Sequence, residues 1–386
     1  MSNLKRHLDN NLNKNVIISK PEIKTRKTMR NMMHSINKNY ELNNTDPIIT
    51  DAYYNAYVPR NIIIKKEKVI INREINNLSD IIQILNEFPI VSNVEYNIDL
   101  EKLHKIKEPL IELNNMIGIH DIKNNIVDQL LFYVQDFHLK NGVNYMHTVL
   151  YGPPGTGKTE IAKLMGKIFS QLGVLKNGTF RKVVRSDLIA GYLGQTAIKT
   201  TKVIEDALGG VLFIDEAYAL GNSEKRDSFA KECIDTLCEA LSNHRDNIMV
   251  IIAGYEEELK ECFFSYNPGL QSRFPWILKT DKSTPSELRE IFIKMVKNIK
   301  WEIKDGEDGI DVSFFEKNKD LFPYYGRDME ILLLKTTMAH GRRVFCLDNN
   351  MKTIINKTDL EKGFELFKKY SVEPDKPSAP AYSMYM

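Results

Sequence analysis

The chain has 386 residues, of which 42% are hydrophobic and 27% charged, with a formal net charge of +2. That length suits two or three domains with sizeable cores, and the composition excludes wholesale disorder, which needs low hydrophobicity and high net charge. No apolar run approaches the ~18–20 residues that cross a bilayer, and the near-neutral charge argues against a strong nucleic-acid field.

Residues 1–45 read as a disordered basic arm. Lys5, Arg6, Lys14, Lys20, Lys24, Arg26, Lys27 and Arg30 outnumber Asp9 and Glu22, so the arm is either a solvated tail or a segment that binds nucleic acid or a partner. Within Met1–Lys20 no apolar stretch exceeds Val16–Ile18. No secretory signal is therefore expected, and the location is read as cytoplasmic. Residues 46–105 form an N-terminal region without a recognised motif. Its pattern is strand-like from Asn61 to Ile71, and a short helix is expected over Asp80–Phe88 with Ser79 as its cap. The region is either a small adaptor domain or an embellishment of the larger domain C-terminal to it.

From about Leu100 the pattern turns helical, with Leu100, Leu103, Leu110, Ile111 and Leu113 interrupted by Pro109. A second helix carries Ile122, Ile126, Leu130, Leu131 and Val134. Apolar strand signals come next at Thr148–Tyr151, Arg181–Val184, Val211–Ile214, Met249–Ile252 and Pro275–Leu278, alternating with helix-period segments such as Ile161, Leu164, Met165, Ile168, Phe169 and Leu172. Such alternation is the signature of a parallel α/β sheet. After Thr284-Pro285 the strand signals stop. The expected organisation is a large α/β domain over 106–282, a helical domain over 283–372, and a loose tail over 373–386 holding Pro374, Pro377 and Pro380.

Gly152-Pro153-Pro154-Gly155-Thr156-Gly157-Lys158-Thr159 fits G-x-x-x-x-G-K-[ST] between a predicted strand and a predicted helix. Glycines let the backbone wrap phosphate closely, successive N–H groups form an anion nest, and the helix N-terminus adds to the attraction. Lys158 would place its ammonium on the β- and γ-phosphates, and the Thr159 hydroxyl would ligate Mg²⁺. Val211-Leu212-Phe213-Ile214-Asp215-Glu216 is a buried strand ending in two carboxylates, at the strand end where open α/β sheets bind ligands. Asp215 would hold Mg²⁺ in its outer shell, and Glu216 would orient or deprotonate the attacking water. ATP and Mg²⁺ are the cofactors this pair of motifs calls for.

The wording of the glycine loop is typical of AAA+ ATPases. Further stretches narrow the resemblance: Asp187-Leu188-Ile189-Ala190-Gly191-Tyr192-Leu193-Gly194-Gln195-Thr196; Arg226-Asp227 with Cys233-Ile234-Asp235-Thr236-Leu237; Ile252-Ala253-Gly254-Tyr255; and Asn267-Pro268-Gly269-Leu270-Gln271-Ser272-Arg273-Phe274-Pro275. Over about Leu110–Tyr370 the chain resembles the subgroup containing the red-type Rubisco activase (CbbX, also called CfxQ) and the sporulation protein SpoVK; the first hundred residues lie outside it. The resemblance implies a P-loop NTPase large domain with a small helical lid. It implies that Arg273 is an arginine finger reaching the ATP site of a neighbouring subunit, and hence a homo-oligomeric ring, read as a hexamer. It further implies that Arg327 is a sensor-2 arginine, that Ile117 and Gly118 pack against adenine, and that Tyr192-Leu193-Gly194 is a pore loop gripping a protein client. The sensor-1 position, often Asn elsewhere, falls near Gly254-Tyr255, so either Glu216 or Tyr255 positions the lytic water.

Other features read as structural. Cys233, Cys238, Cys262 and Cys346 include no C-x-x-C pair and are expected as reduced thiols. His120, His138, His147, His244 and His340 lack mutual metal-ligand spacing, and Lys335–Arg343 reads as a solvated or intersubunit face. The combined expectation is an ATP-hydrolysing motor that remodels a protein client. Two rivals remain: a nucleic-acid motor or loader, and a ring that uses nucleotide only to assemble as a scaffold.

Overall fold

The computed structural model describes residues 67–141, 145–192, 194–304 and 309–371, so the basic arm, most of the segment before Ile71, Leu193 and the C-terminal tail lie outside the described residues. The description opens with a short strand, β1 (Glu67–Val69), that pairs in parallel with β2 (Val94–Tyr96) around helix α1 (Leu78–Glu87). The cap of α1 is Asn77 rather than Ser79: the Asn77 side chain accepts from the N–H groups of Ser79 and Asp80, and Asp80 returns a bond to the Asn77 N–H. That reciprocal box satisfies more orphan donors than a lone serine can.

Two helices come next, α2 (Leu100–Lys105) and α3 (Lys107–Asn114), broken at Ile106 rather than at Pro109. Pro109 sits in the first turn of α3, where its missing N–H is harmless, and its ring forbids the preceding turn from running on. Helix α4 (His120–Val134) then leads toward the sheet. Leu78, Leu103, Leu110 and Leu113 from these elements join one core with Ile126, Leu130, Ile161 and Phe169.

The central sheet has the order β4-β5-β6-β3-β7, all parallel, with β3 at Thr148–Tyr151, β4 at Phe180–Val183, β5 at Val211–Ile214, β6 at Met249–Gly254 and β7 at Trp276–Lys279. Strands β3, β5 and β6 are buried along their whole length, as expected of strands covered by helices on both faces. The period of two divides their side chains cleanly. Leu150, Phe213 and Ile251 face one layer with Ile161, Met165 and Phe169 of α5 (Lys158–Gln171). Val149, Leu212, Ile214, Val250 and Ile252 face the other, with Cys233, Ile234, Leu237 and Cys238 of α6 (Ser228–Asn243).

The chain leaves β3, builds β4, β5 and β6 on one side, then crosses to β7 on the other. Strand β3 is therefore the switch point, and its C-terminal end is where a crevice opens. The crevice is closed by a helical unit of α7 (Pro285–Asn298), α8 (Val312–Lys317), α9 (Gly326–Val344) and α10 (Lys357–Ser371) around Phe292, Phe315, Phe322, Leu332 and Phe367. One small feature departs from the sequence reading: two-residue strands β8 (Glu302–Ile303) and β9 (Ile354–Ile355) pair within this unit, too short to carry a periodic signal. Another is Lys335–Arg343, which is not simply a solvated face. Arg343 and His340 turn inward to the buried Asp359 at 2.7 and 2.9 Å. Among the described residues no helix is long and apolar enough to cross a membrane.

Candidate nucleotide site

The glycine loop joins β3 to α5, with Gly157 as the helix cap and Lys158 as its first residue. The loop is braced from within. Thr156 donates its hydroxyl to the Pro153 carbonyl at 2.9 Å, and Thr280, just past β7, donates to Thr156 at 3.0 Å. The Lys158 ammonium lies inside the loop, donating to the carbonyls of Gly152 at 2.8 Å and Pro153 at 2.7 Å. Burial holds the Lys158 pKa below its ordinary value, with Asp215 and Glu216 opposing the shift and Arg327 adding to it. A cation partly stripped of water, beside the N-terminus of α5, gains strongly from an incoming polyphosphate.

Asp215 and Glu216 emerge directly after β5. Glu216 takes a left-handed backbone conformation, φ 50°, which turns the chain sharply away from the strand. Asp215 pairs with the Lys182 ammonium at 2.6 Å. Tyr255 caps the helix after β6 and lies 6.1 Å, centroid to centroid, from Tyr218. Burial, aided by Glu216, pushes the Tyr218 phenol up to about 12, so both rings are neutral donors at physiological pH. Lys158, Thr159, Lys182, Asp215, Glu216 and Tyr255 share one cavity of about 400 Å³ with Arg327.

Arg327 comes from the helical unit, and it arrives through a close approach of two backbones. The Gly326 N–H donates to the Gly155 carbonyl at 3.1 Å. Gly155 has φ +78°, and a Cβ there would collide with the Tyr324 carbonyl; one on Gly326 would lie 2.6 Å from the Gly155 carbonyl oxygen. Glycine is thus required on both sides for two backbones to meet. Buried Asp328 accepts the Tyr324 N–H at 2.6 Å and fixes the turn.

A second cavity of about 460 Å³ adjoins the first, sharing Gly155, Gly157, Met295 and Gly326, and is lined by Ile117, Gly118, Ile119 and Ile291. Its floor is pinned by lysines. Lys123 donates to the Asn114 and Met116 carbonyls, and Lys294 donates to Asn115. Apolar walls with exposed backbone beside a phosphate-type nest suit a heterocyclic base.

The other expected residues lie elsewhere. Arg273 is absent from the lining of either cavity and is tied within its own chain to the Ser242 hydroxyl at 2.7 Å and to the Gly269 carbonyl. Tyr192 is 74% exposed, beside Gly194 whose surroundings are open; Leu193 is outside the described residues. His147 is buried between backbone groups, and among the described residues no group of three or more His, Cys, Asp or Glu side chains is placed to hold a metal ion by themselves. Sequence reasoning missed Lys182, Thr280, Tyr218 and the Gly326–Gly155 contact. Lys182 lies 33 positions before its partner, and only the strand register brings the two together.

A glycine loop on a parallel sheet, paired strand-end carboxylates and a helical lid define a nucleotide-binding P-loop ATPase of the AAA class. Residues 148–280 match the model for the ATPase family associated with various cellular activities. Among curated relatives, a cfxQ-like protein of Acanthamoeba polyphaga mimivirus is 42% identical over 272 residues, 70% of this chain and 67% of that protein. Stage V sporulation protein K of Bacillus subtilis is 36% identical, covering 55% of this chain and 71% of the relative. The chloroplastic ribulose bisphosphate carboxylase/oxygenase activase of Cyanidioschyzon merolae is 31% identical, covering 64% and 83%. The chain belongs to the CbbX/CfxQ subgroup of AAA+ ATPases, and it is an ATP-hydrolysing enzyme.

Proposed function

We propose that this ATPase works as a ring-shaped motor that remodels a protein client. AAA+ ATPases generally form hexameric rings, and a ring supplies what one chain lacks: Arg273 of a neighbour facing the phosphate cavity. In this reading Gly152–Thr159 cradle the phosphates, with Pro153, Pro154 and Thr156 shaping the loop. Ile117 and Gly118 receive adenine. Lys158 and the neighbour's Arg273 offset charge on the transferring phosphoryl group, Glu216 polarises the attacking water with Tyr255 beside it, and Arg327 reads the γ-phosphate.

The residues present fit Mg²⁺. The Asp215 carboxylate already draws a cation to 2.6 Å, and the Thr159 hydroxyl opens on the same cavity. Thr159 and Asp215 would hold the ion, which supplies charge neutralisation across the β- and γ-phosphates.

The observation that carries the reading is the Gly155–Gly326 contact. The loop that grips phosphate and the helix that carries Arg327 touch backbone to backbone, so a phosphate leaving one is felt at once by the other. Tyr192, Leu193 and Gly194 would turn that motion into traction on a peptide, an aromatic ring offering large contact area at low entropic cost.

The test is hydrolysis by wild type, Glu216→Gln and Tyr192→Ala, with unfolded casein or single-stranded DNA added. Glu216→Gln is expected to bind ATP while losing at least about 10²-fold in kcat. Casein is expected to stimulate wild type but not Tyr192→Ala. Stimulation by DNA alone favours a nucleic-acid motor, and an unimpaired biological effect of Glu216→Gln favours a scaffold; either overturns the remodelling reading.

A further inference from the structure

Strand β4 is an edge strand, and Lys182 sits on it in register with Phe213 of β5. Registered residues on neighbouring parallel strands share a face, and so do residues two apart on one strand. Lys182, Phe213 and Asp215 therefore fall on one side of the sheet. The structure realises that arrangement: the Lys182 ammonium is 5.9 Å from the Phe213 ring centroid and 2.6 Å from Asp215. The Asp215 N–H continues the ladder by donating to the Val183 carbonyl at 3.1 Å, which holds the two strand ends together. Lys158, the other lysine of the cavity, is committed to loop carbonyls. The two ammonium groups thus serve different partners.

We propose that Lys182 is the counter-ion of Asp215 between turnovers. It keeps the carboxylate paired and aimed into the cavity when no metal is bound, and it must yield when the nucleotide brings Mg²⁺. The two cations compete for one carboxylate, because a lysine left on Asp215 offsets the negative charge that draws the hydrated divalent ion and repels it at close range. Lys182 is a positioning residue: it touches Asp215, not the reacting atoms, and it sets the Mg²⁺ concentration at which nucleotide is held and released. The pair is accessible enough to exchange, the side chains being 46% and 22% exposed. This inference rests on the Mg²⁺–nucleotide reading above.

The experiment is a Mg²⁺ titration of the full-length protein saturated with the fluorescent nucleotide mant-ADP, read as mant fluorescence and as the mant-ADP off-rate, without hydrolysis. Lys182→Gln is expected to lower the Mg²⁺ midpoint about threefold to fivefold, the size expected for losing a half-exposed ion pair, and to slow mant-ADP release in Mg²⁺ by a similar factor. Lys182→Arg keeps the charge and is expected to restore the wild-type midpoint. Lys158→Ala, expected to lose mant-ADP, reports that the signal comes from this site. A wild-type signal indifferent to Mg²⁺ overturns the metal reading and this inference together. A Mg²⁺-dependent wild type with an unchanged or raised midpoint in Lys182→Gln overturns this inference alone.

Discussion

Replacing Gly326 by alanine tests whether the lid and the phosphate loop are mechanically joined. The new Cβ would lie 2.6 Å from the Gly155 carbonyl oxygen, where ordinary contact begins at 3.4 Å, so the two backbones must part by about 0.8 Å. The 3.1 Å hydrogen bond between them is then lost, at about 0.5–1.5 kcal/mol. Alanine is the better helix former by up to ~1 kcal/mol, and Gly326 is the first residue of α9. The two effects roughly offset, so the melting temperature should move by no more than a few degrees. Catalysis should suffer far more, because Arg327 moves with its neighbour and a misplacement near 1 Å can cost about 10²-fold. A ten- to hundredfold loss of kcat with a small change in KM is expected from coupled phosphate-release assays, with melting followed by scanning fluorimetry. Gly341→Ala is the control, since it lies on the same helix with nothing within 4 Å of its would-be Cβ. It should hydrolyse normally and melt slightly higher. Wild-type turnover in Gly326→Ala, or equal damage in Gly341→Ala, would refute the coupling.

Residues outside the cavity supply two more expected outcomes. Arg273→Ala should leave mant-ADP affinity within about twofold while lowering kcat by roughly 10³-fold, because the guanidinium lines neither cavity of its own chain; loss of nucleotide binding together with kcat would contradict a role in trans. His147 accepts the Val250 N–H on Nδ1 and faces the Leu241 carbonyl with Nε2, which sets its neutral tautomer. Burial, more than nearby Arg273, pulls its pKa down to about 4, against the Leu241 carbonyl. The unfolded chain, titrating near 6.5, then binds the extra proton first, so stability is intact above pH 6.5 and falls between 6.5 and 4 by up to ~3 kcal/mol. Denaturant unfolding should show that loss in wild type and a flatter profile in His147→Gln; identical slopes would disprove it.

What the chain determined by itself was local. Four consecutive apolar residues at Val211–Ile214, buried on both faces, announce a central strand without help from any neighbour. The glycine loop is legible because its chemistry depends on residues within one turn of backbone. Where the reading slipped, a stronger local competitor won, as when the Asn77–Asp80 box displaced Ser79 from the cap of α1. Only the tertiary structure decided which distant groups share the cavity. Lys182 reaches Asp215 because two parallel strands align in one register, and Gly326 meets Gly155 because a helix far along the chain docks on the loop. Neither contact leaves a periodic trace, since a single close approach between remote segments is set by the packing of whole layers and not by the spacing of residues along the chain.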